Sequence, residues 1–423
     1  MGMRRAVVWS VMSLIALSPR PEAAAWDGTT EIVDGVRHVA NPEAPPQDLE
    51  LRVPRELWRV GGEDDRGGEL LGFVTDVQVD DEGTCYLLDS TLNRICAYSA
   101  EGEFLRVIGR EGEGPGEFRN VGEFMLMPDG NFGVLQFMPA KVVTLDRQGV
   151  PGGDFSLCDG ARGLSLIERA RSVGDHVVIG TACGNFEAGG VDYALAFVAP
   201  DGERLHVIRQ ETEINPHGNI NVGGQHDKDF VRHWDLAPDG RVFVSPVEDR
   251  YLIDVYDERG GLVQRITRKY ETLRRSDEDL AADRKRQEDM DRRFGGMVQL
   301  LSNEYERDIA VLHGRPDGEL WVASSRGLRE CPDGTIGLFD VFDTEGRNVR
   351  RVGLAVDYDP RKDDYLLVGD RLFVLKQARV RPASTSSSMS GGVTSLVIMG
   401  GGGDDEEDEG DETPPSVVCY ALD

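Results

Sequence analysis

The sequence has few basic residues and few long apolar runs. Its 423 residues contain 47 Lys and Arg against 76 Asp and Glu, which gives a formal net charge of -29. A surface this acidic repels phosphate backbones and anionic lipid headgroups. Beyond the N-terminus, no apolar run reaches the roughly 20 residues that a membrane-spanning helix needs. We therefore expect no nucleic-acid partner and no membrane-spanning segment.

The sequence also lacks the motifs of several enzyme classes. The glycine-rich stretch "LRVIGREGEGPGEF" at Leu105–Phe118 has neither the Lys and Ser/Thr of a phosphate-binding loop nor the glycine spacing of a dinucleotide fold. We find no G-x-S-x-G nucleophile motif, no C-x-x-C pair and no complete calcium-binding loop. We interpret the glycine-rich stretch as a connector.

The N-terminus has the composition of an export signal. Arg4 and Arg5 precede a mostly apolar segment over 6–18, and Ala23–Ala25 offers a small-residue cleavage site. No Cys follows the apolar segment, so nothing indicates a lipid anchor. We predict that residues 1–25 are a signal peptide. The mature chain is then expected to be an exported monomer of the periplasm or the extracellular space.

What the sequence does contain is a repeat of strand, tight Asp/Gly turn and strand. Gly and Asp tolerate the left-handed dihedrals that such turns require. A second turn follows the third strand in five of the units, whereas the sixth unit ends as "SVVCYALD". The six first turns are "DDEGTCYLLD" (80–89), "MPDGNFGVLQ" (127–136), "SVGDHVVIG" (172–180), "APDGRVFVS" (237–245), "RPDGELWVA" (315–323) and "LVGDRLFVL" (367–375).

The strand missing from the sixth unit is found near the beginning of the chain. The segment "RELWRVGG" at Arg55–Gly62 resembles "EFLRVIGR" at 103–110, the fourth strand of the first unit. Pairing of the two chain ends would close a ring and leave few exposed strand edges. We predict an all-β, six-bladed β-propeller of four-stranded blades over 51–423, preceded by an N-terminal extension over 26–50.

The first unit, "DVQVDDEGTCYLLDSTLNRICAYSAEGEFLRVIGREGEGPGEF" (76–118), resembles an NHL repeat. Asp89, Asn93, Arg94 and Ile95 match the "D…NRI" element of that repeat. The mature chain resembles the secreted bacterial six-bladed propellers related to NHL-repeat proteins. The resemblance implies a fold and a binding scaffold, and it leaves the activity open because propellers include binders, lyases and lactonases.

The insertions of the repeat all fall on one face of the predicted ring. Insertions gathered on one face of a repeat protein commonly mark its binding face. They cover residues 181–192, 209–230, 267–306, 324–335 and 377–415.

Two of these insertions have a distinct character. The 267–306 insertion is predicted to contain a helix that begins with a capping box of Ser276 and Asp279. That helix is either a solvated rim element or a lid or docking surface. The 377–415 insertion is a low-complexity loop in which eight of the nine residues 404–412 are acidic, and we expect this run to be solvated.

A candidate site lies in the central channel, where propeller enzymes place their chemistry. Acidic residues and a His there could hold a metal, an amine or a sugar, or they could line a hydrated channel. A slip of one residue in the alignment would turn each side chain to the opposite face. Counting seven residues back from each first turn gives Asp76, Glu123, Glu168, His233, Val311 and Asp363.

Three further residues are candidates for ligand contact. Arg94 and Arg119 lie on the face with the insertions, where they could bind a ligand carboxylate or pair with nearby acids. Trp234 could stack on a sugar or peptide, or pack in the core.

No cofactor is expected, and a divalent cation is the open alternative. Calcium would suit a lactonase-type channel, whereas zinc would need histidine ligands. The spacing of the available histidines fits no standard zinc pattern. These candidates are His217, His226, His233 and His313.

Six cysteines could form disulfides in an exported chain. We expect Cys85 to pair with Cys96, because the two lie on neighbouring strands. Cys158–Cys183 and Cys331–Cys419 then follow by elimination. Free buried thiols are the alternative.

These observations favour a non-enzymatic binding or scaffold protein that recognises a protein, peptide or glycan through the face with the long loops. The alternative is a metal-dependent propeller enzyme, a lactonase-type hydrolase or a lyase, with its site in the channel. A third possibility is an envelope-assembly or solute-sensing subunit whose helix near 277–294 docks a partner.

Overall fold

The chain folds into six blades of four antiparallel strands around a central axis, which confirms the predicted propeller. The fold is known from a computed structural model that describes residues 26–62, 70–137, 139–158, 165–185, 187, 189–214, 220–222, 228–295, 298–300, 302–378, 388–390, 393–395 and 414–422. Among these residues, the innermost strands of blades 6, 1, 2, 3, 4 and 5 contact one another in that order around the axis.

The strands of each blade are given from the axis outward. Blade 1 contains Val74–Val79, Cys85–Asp89, Arg94–Tyr98 and Phe104–Ile108, and blade 2 contains Val121–Leu126, Phe132–Gln136, Lys141–Leu145 and Pro151–Phe155. Blade 3 contains Ser165–Val173, His176–Asn185, Gly190–Val198 and Arg204–Ile214, and blade 4 contains Trp234–Leu236, Val242–Val244, Leu252–Tyr256 and Leu262–Arg268. Blade 5 contains Ile309–Gly314, Leu320–Ser324, Thr335–Phe342 and Asn348–Ala355, and blade 6 contains Asp364–Val368, Arg371–Lys376, Ser416–Ala421 and Arg55–Gly61.

The ring closes by pairing of the two ends of the chain, as predicted. Arg55–Gly61 is antiparallel to Ser416–Ala421 and forms the outermost strand of blade 6. Trp58 of this strand packs against Tyr98 of blade 1, with ring centroids 6.3 Å apart. Its indole Nε1 donates a hydrogen bond to the Ala100 carbonyl at 3.1 Å. The closing strand therefore also joins blade 6 to blade 1.

The N-terminal extension contributes strands that the sequence patterns did not indicate. Thr29–Val33 and Val36–Asn41 form a hairpin whose second strand pairs in parallel with the outermost strand of blade 4. Leu49–Arg52 pairs in parallel with the outermost strand of blade 5. We call residues 26–54 the N-terminal strap, because this segment crosses the rim of blades 4 and 5 before the chain enters the outermost strand of blade 6.

The tight turns set the strand boundaries. In the first turn of blade 1, the Gly83 N–H donates to the Asp80 carbonyl at 2.9 Å, with the Gly83 φ at 83°. Glycine adopts this left-handed conformation without the steric penalty that other residues carry. The strands that follow bury apolar side chains against the neighbouring blade, so the core consists of layers between blades.

The insertions take different forms in the structure. The predicted helix in 267–306 is present as α1 (Asp277–Phe294), and the capping box of Ser276 and Asp279 is formed. A second, short helix, α2, spans Ser325–Arg329. The predicted insertion at 181–192 consists mostly of strand, because it continues the second and third strands of blade 3.

Other short elements complete the insertions. They are a 3-10 helix at Asp229–Val231, a parallel pair of Ile220–Val222 with Val298–Leu300, and a hairpin of Ser388–Ser390 with Val393–Ser395. The acidic run 404–412 lies outside the described residues. Within the described parts of the chain, no helix has the length and apolarity needed to cross a membrane.

Of the three predicted disulfides, one is formed and two are not. Cys158 and Cys183 form a disulfide, whereas Cys85, Cys96, Cys331 and Cys419 are not disulfide-bonded. The pairing of Cys85 with Cys96 is wrong because the hairpin register places Cys85 opposite Tyr98 and Cys96 opposite Leu87. Such diagonal neighbours are too far apart for a disulfide.

The expected Cys331–Cys419 pair is also absent. Cys419 is fully buried in the core between blades 6 and 1. Cys331 instead lies just beyond α2 in blade 5, where its thiol faces the Leu328 and Thr335 carbonyls.

Candidate ligand sites in the channel and on the long-loop face

Asp76 and Glu123 lie on the innermost strands of blades 1 and 2 and are almost fully buried. Each carboxylate accepts a hydrogen bond from the backbone of the next blade. The Phe124 N–H donates to Asp76 Oδ2 at 3.0 Å, and the Ala170 N–H donates to Glu123 Oε2 at 3.3 Å. These two acids therefore join neighbouring blades at the axis.

Glu168, His233 and Asp363 have partners of their own. Arg232 binds the Glu168 carboxylate through two nitrogens at 2.7 and 2.9 Å. Asp363 accepts from Lys376 Nζ at 2.8 Å and from the backbone of Gln377 at 3.2 Å. Burial, together with nearby arginines, holds the pKa of His233 well below its usual value, so the imidazole is neutral.

Arg169, Arg171 and Asp235 join Asp76 and Glu123 in one group, which we call the channel cluster. Arg171 Nη1 lies 3.7 Å from Glu123 Oε2, and Arg171 Nε lies 3.8 Å from Asp235 Oδ1. Asp235 Oδ2 also accepts from the Gly314 N–H of blade 5 at 2.8 Å. With Asp76 of blade 1, which accepts from the Phe124 N–H, the cluster thus links blades 1 to 5.

Counting back from the turns missed part of this cluster because the first turns and the innermost strands differ in length. The first turn of blade 3 joins the paired residues Val173 and His176, whereas that of blade 1 joins Val79 and Cys85. In blade 4 the strand is only three residues long. Each such change moves a different side chain towards the axis.

Burial and the charges of neighbouring groups shift the pKa values of two residues in the channel cluster. Burial raises the pKa of Asp76 to about 6, with Arg171 opposing and Glu123 adding to the shift. Burial and the charge of Arg171 lower the pKa of Arg169 to about 10. A carboxyl group that titrates near neutrality can exchange a proton at physiological pH.

His313, on the innermost strand of blade 5, is a further titratable group near the axis. Its ring lies 6.0 Å from both Phe339 and Tyr365. Burial lowers its pKa well below the usual value, with Arg169 contributing. Its buried Nε2 has no hydrogen-bond partner among the described residues.

The described residues contain no group of three or more His, Cys, Asp or Glu side chains that could hold a metal ion. Of the four histidines considered for zinc, His217 and His226 lie outside the described residues. His233 and His313 are described and partly buried, and desolvation lowers the pKa of both well below the usual value.

Arg94, Arg119 and Trp234 are used within the protein. Arg94 Nη2 donates to the Leu70 carbonyl at 2.6 Å, and Arg119 forms an ion pair with Glu113. Trp234 is fully buried and donates from Nε1 to the Val231 carbonyl at 2.8 Å. Its indole therefore packs in the core and offers no face to a ligand.

A cleft of about 420 Å³ opens between blades 4 and 5 on the face that carries the long loops. Its walls are the end of the last strand of blade 4 (Arg268–Glu271), the loop that contains α2, and Glu43 and Ala44 of the N-terminal strap. We call it the strap cleft. A volume of this order can hold a small ligand or one residue of a polymer.

A network of charged groups forms the floor of the strap cleft. The Asp340 carboxylate is almost fully buried and binds Arg268, Arg351 Nε at 3.0 Å and the Tyr251 hydroxyl at 2.9 Å. Burial and the charge of Asp340 raise the pKa of Tyr251 well above its usual value, so the phenol keeps its proton.

The strap cleft was not among the sites predicted from the sequence. A signal for it exists, because basic residues are concentrated between 265 and 275 in an otherwise acidic chain. The contribution of the strap has no comparable signal, since it depends on where residues 43 and 44 lie in space.

A family model described as "6-bladed beta-propeller" matches residues 69–152, in agreement with the fold. Solved structures with similarity over most of the chain include a member of the duf4221 family from Bacteroides vulgatus (10% identity, TM-score 0.46, 87% of this chain and 96% of that one). Others are the calcium-binding protein regucalcin from Agrobacterium tumefaciens (12%, 0.36, 89% and 97%) and virginiamycin B lyase from Staphylococcus aureus (8%, 0.38, 82% and 94%). The comparison with curated proteins found no match. At these identities and TM-scores the solved structures give no argument about function.

Proposed function

We propose that this protein is an exported binding propeller that recognises a protein, peptide or glycan through its long-loop face. The observation that carries the proposal is the strap cleft, a concave site on the face where α1 and α2 also lie. Binding sites of repeat proteins are commonly built from such insertions on a rigid scaffold. The charged groups at the axis, by contrast, are largely engaged in contacts between blades.

The test is a binding screen with two variants, each of which carries an added bulky side chain on one face of the propeller. Purified residues 26–423 are applied to glycan and peptide arrays. Glu271→Trp places a bulky side chain at the rim of the strap cleft, where the Glu271 side chain is 87% exposed. Glu82→Trp is the control, at an exposed turn on the opposite face. Loss of binding in Glu271→Trp alone supports the proposal. Equal binding by both variants, or loss in the control alone, refutes it.

A second candidate function is a hydrolase or lyase with its site in the channel. It is favoured by Asp76, whose pKa is raised to about 6, and by the buried His313 Nε2 with no partner among the described residues. If such an enzyme uses a metal, chelation by EDTA should lower the thermal midpoint, because a bound ion stabilises the folded state by mass action. A variant lacking 400–412 removes the acidic run as a source of cation binding. An unchanged midpoint and no stoichiometric calcium or zinc in both forms would exclude the metal-dependent version.

A further inference from the structure

The strap cleft has a wall that is held in place before any ligand arrives. The strap pairs with blade 4 up to Asn41 and with blade 5 from Leu49, so the segment between them is anchored at both ends. Pro42, Pro45 and Pro46 restrict the backbone of that segment. Arg268 Nε donates to the Glu43 carbonyl at 3.0 Å. A wall fixed in this way loses little conformational entropy when a ligand binds.

The floor of the strap cleft carries an excess of positive charge. Two guanidinium groups, Arg268 and Arg351, share the single carboxylate of Asp340. Arg268 is only 6% exposed at its side chain, so solvent screens this charge weakly. The neutral phenol of Tyr251 contributes no further negative charge. Arg268, Arg351 and Asp340 therefore carry one net positive charge at the floor, where the Arg351 side chain is 32% exposed.

Hydrogen-bond donors on the cleft remain unused. Arg351 donates to Asp340 only through Nε, and among the described residues its two Nη atoms have no acceptor. Lys269 lines the cleft and is exposed, and no acceptor for its Nζ occurs in the described parts of the chain. An anion bound in the cleft would accept hydrogen bonds from these donors and would balance the positive charge of the floor.

The acidic side chains that line the same cleft do not neutralise this floor. Glu43 of the strap is exposed, Glu271 is 87% exposed, and Glu330 is 52% exposed while it pairs with Arg326 at 2.8 Å. Arg326 in turn donates from Nε to the Glu271 carbonyl at 2.6 Å, which holds the two walls together. These acids therefore lie at the rim and leave the deeper positive charge available.

We propose that the strap cleft binds a carboxylate group of the ligand recognised by this face. Arg351 and Lys269 supply the charge-assisted hydrogen bonds, and Tyr270 and Leu338 supply apolar contact for the group that bears the carboxylate. Two ligands offer this chemistry, a uronic-acid sugar and the free C-terminus of a peptide. The inference rests on the proposed function and specifies its chemistry.

The test compares matched carboxylate and neutral probes by isothermal titration calorimetry with residues 26–423. One pair is trigalacturonic acid and neutral galactotriose. The other pair is N-acetyl-trialanine with a free or an amidated C-terminus. We expect one of the carboxylate probes to bind about tenfold or more tightly than its neutral counterpart, as loss of one charge-assisted hydrogen bond predicts. The pair that shows the difference identifies the source of the carboxylate.

Two substitutions locate the bound carboxylate. Lys269→Gln removes an exposed charge without a partner among the described residues, so the fold should be unaffected. We expect about tenfold weaker binding of the preferred probe. Arg350→Gln is the control, because it removes the same charge from the neighbouring residue of Arg351, which pairs instead with Glu319. Binding in that control should be unchanged.

Two outcomes would overturn the inference. One is that each carboxylate probe binds no better than its neutral partner. The other is that binding is preserved in Lys269→Gln and lost in Arg350→Gln. If the arrays reveal a neutral ligand that Glu271→Trp blocks, the proposed function stands and this inference alone fails. If nothing binds the long-loop face, both fail.

Discussion

Asn41 should be among the most sensitive residues of the fold, because its side chain joins the strap to two blades. It is 4% exposed. Its Nδ2 donates to the Thr267 carbonyl of blade 4 at 3.1 Å and to the Gly346 carbonyl of blade 5 at 3.0 Å. Its Oδ1 accepts from Trp26 Nε1 at 2.9 Å and from the Asn348 N–H at 2.7 Å. One amide thus uses both donors and accepts twice.

Replacement of Asn41 by Ala removes all four hydrogen bonds without removing their partners. Each buried bond contributes about 1 kcal/mol net, so we expect the free energy of unfolding to fall by about 4 kcal/mol. Urea denaturation followed by tryptophan fluorescence measures the loss. Asn131→Ala, which removes one hydrogen bond in an exposed turn, is the control and should change stability by less than about 0.5 kcal/mol.

Asn41→Asp distinguishes the hydrogen bonds that the Asn41 side chain accepts from those that it donates. Aspartate keeps the acceptors for Trp26 and Asn348 but places a carboxylate against the carbonyls of Thr267 and Gly346. At neutral pH the variant should be at least as unstable as Asn41→Ala, and it should recover stability when acid protonates the carboxyl group. A loss below about 1 kcal/mol in Asn41→Ala would refute the reasoning, since it would mean that strap and blades are held by other contacts.

Three further predictions concern ring closure, pH and the disulfide. Trp58→Ala should lower the free energy of unfolding by about 3–5 kcal/mol in urea denaturation, because the buried indole joins blade 6 to blade 1, and a loss below about 1 kcal/mol would contradict that role. The pKa of Asp76 is raised from 3.8 to about 6 by folding, so its contribution to stability is fully present below pH 3.8 and is lost as the pH rises through about 6. Asp76→Asn should flatten this part of the pH–stability profile, and an unchanged slope would show that other groups cause it. Replacement of Cys158 and Cys183 by Ala should cost about 3 kcal/mol, as expected for a bridge of sequence separation 25. The same change in a reduced sample should cost almost nothing.

The repeat and its closure could be read from the sequence because both are local signals. The Asp/Gly turns require left-handed dihedrals at positions such as Gly83, and the strands beside them alternate or run apolar. The segment at Arg55–Gly62 resembles the fourth strand of blade 1. These features depend on residues close together in the chain, so they predicted six blades and the pairing of the chain ends.

The arrangement at the axis was only partly predictable. Asp76 and Glu123 follow from the count because the first turns of blades 1 and 2 have the same length, with Val79 paired to Cys85 and Leu126 to Phe132. Arg169 was missed because the first turn of blade 3 is shorter, and Asp235 because the innermost strand of blade 4 has only three residues. Such irregularities arise from packing between blades and leave no local pattern.

The cysteines show the same difference between what the sequence predicts and what the tertiary structure decides. The sequence indicated that Cys85 and Cys96 lie on neighbouring strands, which is correct. Whether the two sulfur atoms meet depends on the hairpin register, and that register offsets them by two residues.

What the sequence alone determined is the class of fold, the order of the blades and the face on which the insertions lie. The tertiary structure alone decided where the strap runs, which carboxylates reach the axis and that a cleft exists between blades 4 and 5. The reason is distance along the chain. Asn41 bonds to a residue 307 positions away, and Glu43 lines a cleft with Arg268 and Arg351. Contacts of that range arise only when the ring has closed.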